Sequence, residues 1–406
     1  MTTTALRKLA ALLTCGGLAA AAAPARAQQA VTRQQAVQAA LARGPRVTLA
    51  ATDTAAARAG LMSARAFQNP TVTAAYSKDV PQYHASLDVP LDLPWIRSAR
   101  IRVAAEAQAS ARLRFGFERA AARFDAEQAY TAALAATAQA GLSRRTARDA
   151  DSLLRMAVLR RDAGDASELD VQLATVNAGQ LANDAAGDSV TAVSAVLEVQ
   201  RAMGLASDRE RIVLADTLEL ARGDTAGGAG AALQVAAAEA AARSADAGLA
   251  LARRSVFASP SLMLGFDNHD PSGTEPGLLP TFGLALTVPL LSWNRGEIAA
   301  AAAARDRARA ELDLARRESD AAVAQARRDL AVATQKVARD RSLVASADRV
   351  AAMSLTAYAE GAVALPSVLE AQRQAREALG HLIDDLAAAN VADAAVRLFS
   401  ASEVSP

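Results

Sequence analysis

The stretch Gly283-Leu284-Ala285-Leu286-Thr287-Val288-Pro289-Leu290, followed by Trp293 and Arg295, decides how this chain is read, because it occurs twice. The earlier copy is His84-Ala85-Ser86-Leu87-Asp88-Val89-Pro90-Leu91, followed by Trp95 and Arg97. Val-Pro-Leu, Trp and Arg recur in the same order, and both tryptophans occupy equivalent places. Upstream, Asn69-Pro70 opens the alternating run Thr71-Val72-Thr73-Ala74-Ala75-Tyr76, and Ser259-Pro260 opens Ser261-Leu262-Met263-Leu264-Gly265-Phe266. The offset is roughly half the chain, which marks a duplication and not a short solenoid repeat. Strands are expected over about 71–77, 83–91, 261–267 and 281–290.

Working outward, each Trp is followed by a helical pattern of about 65 residues without a proline. These runs span about 96–161 and about 294–360. At about 1.5 Å per residue each would be roughly 100 Å long, too long for a compact domain. In the second run Val323, Leu330, Val337, Val344, Ala351 and Tyr358 fall at seven-residue intervals, and Ala326, Ala333 and Ala347 sit three positions beyond the matching members. That is a coiled-coil seam in which alanine lets helices approach closely. Both runs stop at a glycine, in Arg161-Asp162-Ala163-Gly164-Asp165-Ala166-Ser167 and in Tyr358-Ala359-Glu360-Gly361-Ala362-Val363, as helices do where the chain turns left-handed. Returning helices follow over 167–203, with Ser167 as N-cap, and over 366–399, with Pro366 in the first turn.

The organisation is therefore a signal segment, 1–27; a first repeat, 28–203, with leading helices over 31–43 and 46–68 and a hairpin over about 96–203; a linker or equatorial segment, 204–230; and a second repeat, 231–406, with a leading helix over 231–257 and a hairpin over about 294–399. The signal reading rests on Arg7 and Lys8, an apolar run from Leu9 to Ala23, and Ala25-Arg26-Ala27 as a small-x-small cleavage site. The only cysteine, Cys15, lies inside that apolar run; a lipobox fits it only in part. Cleavage after Ala27 leaves an exported chain without disulfides, held by packing alone.

Composition agrees with long helices. The 406 residues are 52% hydrophobic but only 3% aromatic, much of the apolar share being alanine. Alanine is the best helix former and a poor filler of a globular core. A mean hydropathy of +0.10 argues against a polytopic helical membrane protein. The formal net charge is +1, which gives no electrostatic invitation to nucleic acid.

Short alternating strands approach the length that crosses a bilayer at a tilt. Four strands cannot close into a barrel, and an open edge cannot face lipid. Membrane strands in this chain would require several copies to share one barrel; three copies would supply twelve, an even number within the known range. The other reading of the same strands is a small soluble sheet capping a coiled coil.

The signal segment, the duplicated strand–strand–long-helix unit, Asn69-Pro70, the two Val-Pro-Leu segments and Trp293-Asn294-Arg295-Gly296-Glu297-Ile298 together resemble the TolC-type outer-membrane efflux proteins. Within that family the short first loop and the overall length are most similar to the CzcC/CusC-like channels of heavy-metal efflux. The resemblance implies a mainly α chain with a small transmembrane β part, assembled as a homotrimer with a shared 12-stranded β-barrel in outer-membrane lipid and an α-helical tunnel in the periplasm. It implies a periplasmic adaptor as partner, and an inner-membrane pump of the resistance–nodulation–division class. By the same resemblance the adaptor docks on the hairpin tips, here Arg161, Gly164, Asp165 and Ser167 in the first and Tyr358, Gly361 and Ala362 in the second. Glu370 and Asp170 match family positions where carboxylates narrow the tunnel; a solvated helix face is the alternative for both.

No enzyme chemistry is legible. His84, His269 and His381 lack ligand spacing, and there is no G-x-S-x-G, P-loop or HExxH. His84 and His269 read as loop residues. No cofactor and no metal site is expected. The function that follows is a passive exit duct; the alternative is a non-channel periplasmic coiled-coil scaffold or adaptor.

Overall fold

The computed structural model describes residues 29–78, 82–220, 232–256, 259–268, 278–286, 288–289 and 293–401. The expected signal segment, with Cys15, Ala25 and Ala27, lies outside the described residues, as do His269 and the glycine-rich stretch 221–231.

Each repeat is built on one long helix and a returning one. In the first, α1 (Arg33–Arg43) and α2 (Pro45–Arg65) lead to β2 (Thr71–Tyr76) and β3 (Tyr83–Pro90), then α3 (Pro94–Asp162) and α4 (Glu168–Ala202). In the second, α5 (Leu233–Arg254) leads to β5 (Ser261–Asn268) and β6 (Leu278–Ala285), then α6 (Arg295–Ala359) and α7 (Leu365–Phe399). Two short strands complete the chain, β1 (Gln29–Val31) and β4 (Ile212–Leu214). Helix ends follow local chemistry. Thr32 and Gln35 form a capping box on α1, Ser167 and Asp170 form one on α4, and prolines occupy the first turns of α2, α3 and α7, where no N–H is needed.

The seven-residue seam of α6 faces α7. Ala326, Ala333, Val337 and Tyr358 are buried, and Ala333 and Val337 pack with Leu386 and Ala389 of α7. The two repeats join between the hairpins. Leu153 and Ala157 of α3 and Val171 and Ala174 of α4 share one core with Tyr358, Leu365 and Val368 of the second hairpin.

Residues 204–230 do more than link. β4 pairs in parallel with β1, Gln29 opposite Ile212. The fully buried Gln200 side chain donates to the Ala206 and Arg209 carbonyls and accepts from Arg211 N–H. Tyr130, also fully buried, donates its hydroxyl to the Val31 carbonyl at 2.8 Å. Burial pushes that phenol up to about 12, so it stays a donor at any physiological pH.

β2, β3, β5 and β6 form one antiparallel sheet in that order. The fourth strand corrects the sequence expectation of 281–290. It runs from Leu278 to Ala285 because its partner, β5, pairs Asn268 with Leu278 and Ser261 with Ala285. Beyond that point no strand remains to pair among the described residues, and Pro289 has no donor to offer. The Val-Pro-Leu of the first copy does reach the sheet, through Val89 and Pro90.

Candidate functional site

Side chains directly opposite one another in an antiparallel pair share a face, so the register sorts this sheet into two surfaces. One carries Val72, Ala74 and Tyr76; Tyr83, Ala85, Leu87 and Val89; Leu262, Leu264 and Phe266; and Leu278, Pro280, Phe282 and Leu284. Only Asn268, at its end, is polar. The other carries Thr71, Thr73, His84, Ser86, Asp88, Ser261, Asp267 and Thr281, with Met263, Leu279 and small residues between them. On the apolar face Val72, Tyr76, Tyr83, Phe266, Leu278, Phe282 and Leu284 are all more than half exposed. In water each such side chain forgoes about 1.5–3 kcal/mol of burial.

The rims are aromatic. Tyr76 and Tyr83 meet at one end with ring centroids 5.3 Å apart. Trp95 and Trp293, both exposed, stand at the other end where the long helices start. Among the described residues neither β2 nor β6 pairs with a second strand, so both outer edges present backbone groups without a strand partner there.

His84 is a correction: it lies within β3 and not in a loop. Its Nδ1 is 2.9 Å from Asp267 Oδ1 on the polar face. Below the sheet, Asp92 is buried and anchors the turn into α3. It accepts from Arg100 Nη2 at 2.7 Å and faces Arg97 Nε at 3.5 Å. Arg97 also donates to the Arg65 carbonyl and stacks over Phe67 at 4.5 Å.

The hairpin tips lie at the far ends of the long helices. Gly164 and Gly361 adopt φ of +88° and +76°, a conformation that a Cβ makes costly. Gly164, Asp165, Ser167, Gly361 and Ala362 are exposed. Arg161 is held along its own tip by Asp162 at 2.8 Å and Glu168 at 3.2 Å.

Tyr358 departs from the expectation of a docking surface. The residue is only 3% exposed, in the core shared by both hairpins, so it supports the turn from inside. The residue missed in the sequence is Arg160. It donates Nη1 to the Tyr358 carbonyl at 2.5 Å and Nη2 to the Asp165 carbonyl at 3.3 Å, and its guanidinium stacks on the Tyr358 ring at 4.6 Å. Nothing in the local pattern separates Arg160 from Arg161; the signal lies in a contact 198 residues away in sequence.

The two candidate aperture acids are both engaged. Asp170 Oδ2 accepts from Ser167 N–H at 3.1 Å and from its hydroxyl at 2.9 Å. Glu370 is exposed and paired with Arg373 at 2.7 Å; hydrogen bonds from Arg373 and Gln374 hold its carboxyl down to about 2. Arg373 pairs with Glu377 as well, so the trio carries one net negative charge. Among the described residues no cluster of His, Cys, Asp and Glu could hold a metal, and no helix is long and apolar enough to cross a membrane.

No family model matches the chain, and no curated protein matches it by sequence. Solved structures match it over nearly its whole length. The CmeC outer membrane channel of Campylobacter jejuni superposes with a TM-score of 0.80 at 14% identity, over 91% of this chain and 85% of that one. The outer membrane protein VceC of Vibrio cholerae gives 0.77 at 15% identity, over 92% and 97%. CusC, described for its transmembrane channel formation, gives 0.75 at 16% identity, over 91% and 92%. CusC stands no nearer than the other two, so the likeness does not single out the heavy-metal subgroup. The two-faced sheet, the doubled helical hairpin and these superpositions agree on one conclusion: the chain has the fold of the TolC-like outer-membrane channels.

Proposed function

We propose that this chain is the outer-membrane exit duct of a tripartite efflux pump. Three copies share a twelve-stranded barrel in the outer membrane and a helical tunnel in the periplasm. The duct is passive: a periplasmic adaptor docks on the hairpin tips and links it to an inner-membrane pump of the resistance–nodulation–division class. Heavy-metal cations are the cargo that the subgroup resemblance suggests.

The observation that carries this reading is the sheet. An apolar face with aromatic rims suits lipid, a polar face suits a water-filled lumen, and two open edges call for further strands from other copies. Apolar residues left bare on the helices support the same assembly. Leu169, Val176 and Val190 on α4 lie at multiples of seven residues and are exposed, as are Leu343 and Val350 on α6. Such stripes are seams awaiting a partner helix. A scaffold or adaptor is less well supported, since the described chain between α3 and α4 is only the short turn 163–167, with no room for an inserted domain.

The test is reconstitution of the detergent-purified protein in planar bilayers, with cross-linking to count copies. Stable ion conductance and a cross-linked species three chains in size are expected. A soluble monomer that never conducts would overturn the proposal.

A further inference from the structure

A Trp-x-Arg step follows both Val-Pro-Leu segments, as Trp95-Ile96-Arg97 and as Trp293-Asn294-Arg295, and contacts gather the two copies into one belt at the helix end of the sheet. Arg97 Nη2 donates to the Arg65 carbonyl at 2.7 Å and Arg100 Nε to the Ala64 carbonyl at 3.1 Å, so the end of α2 meets the start of α3. Arg254 Nη1 donates to the Trp95 carbonyl at 3.3 Å, which brings in the end of α5. Asn294 Nδ2 donates to the Ala252 carbonyl at 3.2 Å, which joins the start of α6. The belt is basic. The stretches 64–69, 91–100, 251–260 and 286–297 hold six arginines, Arg65, Arg97, Arg100, Arg253, Arg254 and Arg295, against two carboxylates, Asp92 and Glu297. Asp92 is buried and serves Arg97 and Arg100. Arg65, Arg253, Arg254 and Arg295 are exposed, and none of them pairs with a carboxylate among the described residues. Arg65, Arg253 and Arg254 end α2 and α5, where the helix dipole favours a cation. Arg295 opens α6, where the dipole opposes one, so helix capping does not account for it.

Aromatic surface lies among these charges. Trp95 and Trp293 are more than half exposed, as is Phe67, whose ring lies 4.5 Å beneath the Arg97 guanidinium. Exposed tryptophan beside exposed arginine suits a headgroup layer. There the ring meets acyl chains while the guanidinium forks onto phosphate oxygens; a water-filled lumen offers such rings no apolar contact. We propose that this belt is a docking collar for the anionic phospholipid headgroups of the periplasmic leaflet, held by Arg65, Arg253, Arg254 and Arg295. The collar rests on the outer-membrane reading, and it continues the apolar face of the sheet at its helix end.

The chain has only two tryptophans, and both stand in the belt, so their fluorescence reports the collar alone. The full protein is reconstituted in mixed phosphatidylcholine and phosphatidylglycerol bilayers, with bromine on the acyl chains of one lipid or the other. Brominated phosphatidylglycerol is expected to quench more strongly at equal mole fraction, with a relative affinity of about fivefold or more that added salt weakens. Arg295→Gln, and Arg253→Gln combined with Arg254→Gln, should each move that ratio toward one, whereas Arg295→Lys keeps the charge and most of the preference. If the double variant does not fold, the Arg295→Gln and Arg295→Lys pair decides. Equal quenching of the wild type by the two lipids, or an unchanged ratio in the glutamine variants, would overturn the collar and leave the channel reading standing. Quenching by neither lipid would overturn both. A changed reversal potential in Arg295→Gln without a changed lipid preference would place the arginines in the lumen and likewise overturn the collar.

Discussion

The Arg160 guanidinium lies 4.6 Å above the ring of Tyr358 and donates to the Tyr358 carbonyl at 2.5 Å, so one side chain of α3 closes the end of α6. It ties the two hairpin tips of a single chain together. Arg160→Ala removes the cation–π contact and two carbonyl hydrogen bonds, and is expected to cost about 1–3 kcal/mol locally. Amide exchange should quicken at 357–362 and 163–167 while the middle of α3 is unchanged. Arg160→Lys keeps the charge but not the planar fork, and should recover only part of the protection. Unaltered exchange in Arg160→Ala would show that the shared core holds the tips without it.

The two faces of the sheet predict opposite tolerance to charge. Phe282→Arg, on the apolar face, is expected to cost about 2–4 kcal/mol of membrane insertion and to deplete the protein from the outer-membrane fraction. Thr73→Arg, on the polar face, should insert normally and change conductance instead. Equal recovery of both variants would contradict the assignment of lipid and lumen faces.

Asp92 sits almost fully buried between Arg97 and Arg100, where strand becomes helix. Asp92→Asn removes the carboxylate that faces two partly exposed guanidinium groups, and losing such a charge-assisted contact costs about 1.5–3 kcal/mol. Chemical denaturation should register the loss as a lower midpoint with an unchanged slope. A midpoint within error of wild type would mean that the backbone carbonyls of Arg65, Ala64 and Ala66, which the two arginines also reach, suffice to hold the corner.

Glu370 supplies the pH prediction. Arg373 and Gln374 lower its carboxyl to about 2, so its pairing is present above the unfolded carboxylate range and is lost only as pH falls through that low value. Any contribution of Glu370 to ion selectivity should then be flat from about pH 5 to about pH 8. Each substitution shifts the trio by one charge, so Arg373→Gln is expected to raise cation preference and Glu370→Gln to lower it. Reversal potentials in planar bilayers check both; no change in either variant would remove Glu370 from the conduction path.

The parts of the fold legible in the sequence were those with a period. Alternation in 71–76 and 261–266, the seven-residue spacing from Val323 to Tyr358, and the glycines at 164 and 361 are local signals, and the chain obeys them. β1 and β4 escaped because three residues carry no period; their pairing is secured by Tyr130, in the middle of α3, and by Gln200, in the last turn of α4. The fourth strand slid toward its N-terminus because strand ends belong to the partner's register and not to the strand's own composition. At the tips, Gly164 and Gly361 were readable from backbone chemistry. The roles of Tyr358 and Arg160 depend on which helices meet, and no local pattern encodes that.

The unbroken helices have a consequence for length. A wall built on a seven-residue seam is a ruler graduated in heptads. Each heptad adds about 10 Å of helix and returns the same side chains to the same neighbours. Matched insertions or deletions of seven residues in α3 and α4, together with α6 and α7, would therefore set how far the tips stand from the sheet without rewriting any contact along the way. Changes of other sizes would rotate every downstream residue off its seam.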